Sequence, residues 1–480
     1  MRRRPDWVWR GAVAGAAGGL VFGAAMLELG DMLETIAGLA RSDDTAVGLA
    51  VHAVASVVIG VLFAAVTTGR RSGPGELVFW GTAYGAGWWL LGGLTLLPLV
   101  RGDPVRWSLS AVQSGFPSLL GHLAYGAVAG AVLAALGAAA PVGRATRGAL
   151  ARATGSGVVA AVALFALLGS AGMSGAAAMD GPAVVRWPLA LLVGAAAGAA
   201  YAVLYPRPRG AMGPALVRGL DFGFLAWLAL PMTVVPLASG DPLPWSLESA
   251  RERAGTLPAM VLAGVLLVLL YRFTTAAAGV TPTDDPGELA DEGVGTKALR
   301  GLGRGTLAGL VGGALFTVVL VRVDGLPQIA GLVGGTSAGV GLVVHLLVAV
   351  VLSASYGLLF RQAAVDAEAA LGWGVSYGVL WWLLGNHTLL PLLLGDDPTW
   401  TAPELAAGYP SLVGHLAYGA ALGPTLLWLE RRSTPWWTAA TPARRRRAAL
   451  ARTRSAATAP GLWIVSTVLV LTVLTLATGA

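Results

Sequence analysis

Five histidines, His52, His122, His345, His387 and His415, carry most of the coordination and proton chemistry open to this sequence. Cysteine is absent, which excludes disulfides, thiolate metal sites and iron–sulfur clusters. Any metal would need imidazole and carboxylate ligands. All five rings fall inside apolar stretches. His122 and His415 each follow a proline, Pro117 and Pro410, by five residues, about 7–8 Å into a helix. His52 and His345 sit about two turns into another helix. Imidazolium is disfavoured near a helix N-terminus, so these four are expected to be neutral rings with a lone pair for a metal or a proton. His387 lies four residues before Pro391, and Glu28 and Asp31 approach the same layer at the end of the first helix. The candidate ligands or proton relays are therefore His52, His122, His345, His387, His415, Glu28 and Asp31. The candidate metal ligands are His52, His122, His345 and His415. The pairs His52/His122 and His345/His415 could each hold a divalent metal, or a haem iron axially. Against this stands packing, the common use of an intramembrane polar side chain. Ser118 and Ser411 lie one turn before His122 and His415, but no acid or oxyanion motif accompanies them, and no catalytic residue is assigned.

The elements that must position these rings are membrane spans. Hydrophobic residues make up 56% of the 480-residue chain and charged residues 12%, with a mean hydropathy of +0.71. A soluble domain carries about 25% charge. Apolar segments of about 20 residues recur along the whole chain, the length a helix needs to cross a bilayer. The net charge of +7 comes from arginines between those segments, with a single lysine, Lys297. That distribution fits the positive-inside rule rather than nucleic-acid binding. The arginine bias, with the Ala and Gly richness, suggests a GC-rich bacterial genome. Met1–Arg4 and the apolar stretch after it read as a first transmembrane helix rather than a signal peptide.

Trp88-Trp89-Leu-Leu-Gly92 recurs as Trp381-Trp382-Leu-Leu-Gly385, and Gly121-His122-Leu-Ala-Tyr-Gly126 as Gly414-His415-Leu-Ala-Tyr-Gly419. These matches and His52/His345 share one offset of 293 residues. A middle copy lies 155 residues before the last, matching Trp227 to Trp382, Pro236 to Pro391, Asp241 to Asp396 and Trp245 to Trp400. It has Ala190 and Met260 where the last copy has His345 and His415. The expected fold is an all-α polytopic membrane protein of about 13 helices, with three parallel tandem four-helix repeats and one C-terminal helix. The units are repeat 1 over 1–140, a divergent repeat 2 over 155–273, a linker over 274–300, repeat 3 over 301–430, and a basic linker with a thirteenth helix over 431–480. Spans are expected near 10–30, 46–68, 77–99 and 116–138; near 157–178, 186–205, 215–237 and 256–272; near 304–323, 338–360, 370–393 and 410–429; and over 461–478. The basic loops place the N-terminus in the cytoplasm and the C-terminus outside, in a bacterial inner membrane. Two glycine stripes, Gly11/Gly15/Gly19/Gly23 and Gly301/Gly305/Gly309/Gly313, are read as helix-packing faces. The Gly-Asp-Pro and Trp-Ser/Thr motif of each outer loop is read as a turn with a belt Trp, and Thr401/Glu404 as a capping box.

A His in one helix, an apolar helix ending at Pro, a Trp-bearing loop and Gly-His-Leu together resemble the YagU-like bacterial inner-membrane proteins. The elements are His52 with Ser56, Pro98, Trp107 and Gly121-His122-Leu123, then His345, Pro391, Trp400 and Gly414-His415-Leu416. Ala349 stands where Ser56 would fall, and the middle copy lacks both His. The resemblance covers one four-helix unit at a time and implies a fold more than an activity. On it the chain looks like a fused trimer of such units.

No P-loop and no H-E-x-x-H pair occur, and no polar stretch is long enough for an ATPase. The leading function is an integral membrane transporter or channel for a small cation, a transition metal or the proton, with the bilayer and a small ion or solute as partners. A haem- or metal-binding redox protein, and a structural or assembly protein with packing histidines, are the alternatives.

Overall fold

The computed structural model describes residues 6–68, 72–139, 145–170, 183–206, 212–278, 294–361, 363, 366–432 and 476. The described residues form helices and connections with no strand, and twelve helices are long and apolar enough to cross a membrane. The chain is an all-α polytopic membrane protein. The helix expected over 461–478 lies outside the described residues, as do most of the two linkers.

The first unit holds α1 (Asp6–Met26), α2 (Thr45–Thr67), α3 (Pro74–Arg101) and α4 (Phe116–Ala138). The second holds α5 (Arg147–Ser170), α6 (Ala183–Leu204), α7 (Met212–Ser239) and α8 (Thr256–Ala278). The third holds α9 (Val294–Arg322), α10 (Ala338–Phe360), α11 (Ala367–Leu394) and α12 (Tyr409–Arg432). In each unit the first helix packs on the second and fourth, and the third packs on the fourth. Between units, α3 meets α6, and α7 meets α10 and α11. Apolar side chains at Val54, Val58 and Leu62 are exposed along one stripe of α2, as lipid contact requires.

Helices α5 and α9 begin about ten residues before the expected spans. A hydropathy reading stops at charges, but these helices carry theirs inward. Arg304 pairs with Glu430 at 2.6 Å, and Arg152 Nε donates to Thr275 Oγ1 at 3.4 Å. The glycine stripes are crossing points: a Cβ on Gly15 would meet the Ser56 carbonyl, and one on Gly305 the Ser353 carbonyl. α1 against α2 and α9 against α10 therefore need a residue with no side chain at the contact.

The third helix of every unit departs from the expected end at proline. A π-helical segment covers Trp89–Leu96, Leu230–Val234 and Trp382–Leu389, and the helix then continues through Pro98, Pro236 and Pro391. Proline has no N–H, so the carbonyl four residues earlier loses its helical donor. The following loop supplies a replacement each time. Arg106 N donates to Leu94 O at 2.9 Å, Trp245 Nε1 to Met232 O at 2.8 Å, and Thr399 N to His387 O at 3.0 Å. Trp107, Trp245 and Trp400 also donate, at 3.1 Å each, to Thr95, Thr233 and Thr388. Those threonines donate in turn to carbonyls five residues back, at 2.7–2.8 Å. The belt reading of these indoles suits Trp107, which is 67% exposed; Trp245 and Trp400 are buried. The Thr401–Glu404 capping box is present and starts a short helix, Ala402–Ala407.

Candidate functional site

Two imidazole sites form, one in the first unit and one in the third. Both lie toward the face that carries the short loop helices, here termed the histidine face; the other is the arginine face. In the first unit α2 contributes His52, α4 contributes His122, and α1 contributes Phe22. The Phe22 ring meets His52 edge-on at 5.4 Å and His122 at 4.9 Å between centroids. In the third unit Phe316 meets His345 at 5.2 Å and His415 at 4.6 Å, in the same edge-on manner. His52 and His345 are buried and reach the glycine stripe; His122 and His415 are half-buried.

Hydrogen bonds fix the tautomers. A carbonyl only accepts, so a ring nitrogen against one must carry the hydrogen. His52 Nε2 donates to Gly19 O at 3.0 Å, and His345 Nε2 to Gly313 O at 3.2 Å. His122 Nδ1 donates to Ser118 O at 2.7 Å, and His415 Nδ1 to Ser411 O at 2.8 Å. His387 Nδ1 donates to Thr399 O at 2.9 Å. In each neutral ring the opposite nitrogen then holds a lone pair. For His387 that nitrogen, Nε2, is buried with no hydrogen-bond partner.

The site of the third unit is the richer one. His387 packs edge-on to Trp382 at 4.6 Å, and His415 lies within electrostatic reach of both His387 and His345. Ser411 bonds Asn386 at 3.0 Å. The equivalents of His387 are Leu94 and Met232, both buried. Glu28 and Asp31 are exposed at the rim, and no ion pair joins them to an imidazole among the described residues. The Glu28 carboxylate instead accepts from Leu243 N of the second unit at 3.1 Å. No group of three or more His, Asp or Glu is placed to share a metal ion among the described residues.

The second unit lacks this site entirely. Where the third unit has Phe316, His345, His415 and Tyr418, the second has Ala161, Ala190, Met260 and Ala263. These line an apolar cavity of about 100 Å³, closed further by Phe222 and Leu267.

The second unit has its own polar centre, on the arginine face, which the sequence reading passed over. Arg218 on α7 bonds Glu76 on α3 and lies against Tyr205 at the end of α6, Asp221 lies beside Arg218 and Tyr205, and Tyr201 packs against Tyr205 and against Tyr271 on α8. Arg218 Nη2 bonds Glu76 Oε1 at 3.2 Å, and its guanidinium lies over the Tyr205 ring at 5.2 Å. Asp221 is fully buried and neither carboxyl oxygen has a hydrogen-bond partner. The sequence did carry a signal, an acid in the middle of an apolar span with an arginine three residues before it. Arg218 lies inside α7, not among the arginines between the spans.

No family model, curated protein or solved structure matches this chain.

Proposed function

We propose that this integral membrane protein is a transporter or channel for a small cation, protons included, and that the imidazole sites of the first and third units carry the ion. The supporting observation is the common hydrogen-bond pattern. Every ring gives one N–H to a main-chain carbonyl and keeps a lone pair on the other nitrogen. Metal-binding and proton-relaying histidines are held in this way, because the anchored N–H sets the direction of the free nitrogen. The reading places the arginine face in the cytoplasm of a bacterial cell. Kinship with the YagU-like inner-membrane proteins belongs to the same proposal and rests on the short His, Pro, Trp and Gly-His-Leu elements.

The test is ion flux in proteoliposomes. The variants His52→Ala/His345→Ala and His122→Ala/His415→Ala are expected to lose most of the flux while remaining folded. Wild-type protein that carries no metal, proton or small solute would overturn the reading, as would unchanged flux in both variants. Metal analysis and a visible spectrum of purified protein test the redox alternative, which requires stoichiometric metal or a haem band. Orientation can be read separately, because the chain has no cysteine. A cysteine placed at Ser42 should react with an impermeant reagent from outside intact cells, and one at Thr146 should not.

A further inference from the structure

We propose that Asp221 is an intramembrane proton-binding site at the junction of the first and second units, separate from the imidazoles. It rests on the transport reading only for its role in coupling. Asp221 lies nine residues into α7, about 13 Å from the helix start on the arginine face. Its side chain is 0% exposed and both oxygens lack a donor. The Tyr205 and Tyr271 hydroxyls and Arg218 Nε are likewise buried without a partner. An ionised carboxylate with no donor is strongly disfavoured in such surroundings, and binding a proton removes the charge.

A metal cation suits the place less well. Arg218 and Arg272 already bring positive charge, and the second acid, Glu76, is engaged by Arg218 at 3.2 Å. The groups that face Asp221 are Arg218 on its own helix and Tyr205 at the α6 end; Glu76 on α3, Tyr201, and Tyr271 and Arg272 on α8 surround those two in turn. Release is balanced simply: the carboxyl O–H bond breaks, the proton passes to water on the arginine face, and a carboxylate remains. Arg218 Nε, one turn away on α7, is the donor placed to receive that carboxylate. The positions equivalent to Asp221 are Ala83 and Ser376, and those equivalent to Arg218 are Trp80 and Trp373. The described repeats therefore hold one such site.

Infrared difference spectra of the full chain in liposomes, between neutral buffer, where exposed carboxylates are already ionised, and alkaline buffer, test this directly. Wild type should show the carbonyl stretch of an un-ionised carboxylic acid that disappears at alkaline pH. The band should be missing in Asp221→Asn, shifted in Asp221→Glu, and unchanged in Glu252→Gln, an exposed control. An identical band in Asp221→Asn, or no band in wild type, overturns the proposal whatever the flux assay gives. If Asp221→Asn fails to fold, an unshifted band in Asp221→Glu overturns it equally. Flux decides the coupling role: Asp221→Asn should lose the dependence of transport on a pH gradient, and a retained dependence rejects that role. Absence of any wild-type flux rejects the transport reading alone, since the infrared band is read without it.

Discussion

The second unit and its two neighbours share a scaffold and differ in what the scaffold holds. All three carry the π segment before proline, the loop bond to the freed carbonyl and the Trp-to-Thr contact. Among the described residues, only the first and third carry the His–Phe–His arrangement, and only the second carries a fully buried acid, Asp221, toward the other face. The common contacts recur whether or not a unit carries the imidazoles. The unit with Ala190 and Met260 keeps the same helix pairing: α5, α6 and α8 pack as α1, α2 and α4 do.

Substitutions can break or sharpen this contrast. The largest effect is expected from Arg218→Met, which strands Glu76 in a buried place. It should destabilise by about 3–5 kcal/mol, with most of that recovered in Arg218→Met/Glu76→Gln. Unfolding in detergent measures both, and a neutral single variant would remove the second unit's distinctive polar centre from the stability account. Next comes Phe22→Ala, which opens beside His52 and His122 the kind of space the second unit already has. A loss of about 3 kcal/mol is expected, whereas Ala161→Val in the second unit should cost less than about 1 kcal/mol because the cavity receives it. Equal losses would mean that the two interiors are packed alike. Trp245→Phe and Trp400→Phe remove buried indole donors and should cost about 1–2 kcal/mol each. Trp107→Phe, at an exposed position, should stay within about 0.5 kcal/mol. His387→Leu, which installs the residue type of the first unit, should change stability by no more than about 1 kcal/mol. Its cation flux should nevertheless fall, and unchanged flux would assign His387 to packing.

Much of the architecture was legible because lipid imposes a coarse rule, one apolar stretch of fixed length per crossing. The same rule misplaced the starts of α5 and α9 by about ten residues, because those first turns carry Arg147 and Arg152, and Lys297 and Arg300. The π segments left no trace in the pattern, since a change in helical pitch alters which groups bond without altering which residues are apolar. The imidazoles were visible as rare residue types, and the offset of 293 residues matches His52 to His345 and His122 to His415. Phe22 and Phe316 were not visible, because one more aromatic in an apolar run carries no signal. Asp221 stands in the sequence as an acid inside an apolar span, and only the packing of α7 shows that it is fully buried with no donor.

The junctions between units have one further consequence, which concerns stoichiometry. Gly75 admits the Tyr205 ring at the first junction, and Gly213 admits Phe360 at the second, so each unit offers its successor a matching surface. An assembly of three identical chains would have to repeat every substitution three times over. Because the units here share one polypeptide, a single copy can swap imidazoles for hydrocarbon and gain an acid without imposing either change on its siblings. Symmetry can be broken one site at a time.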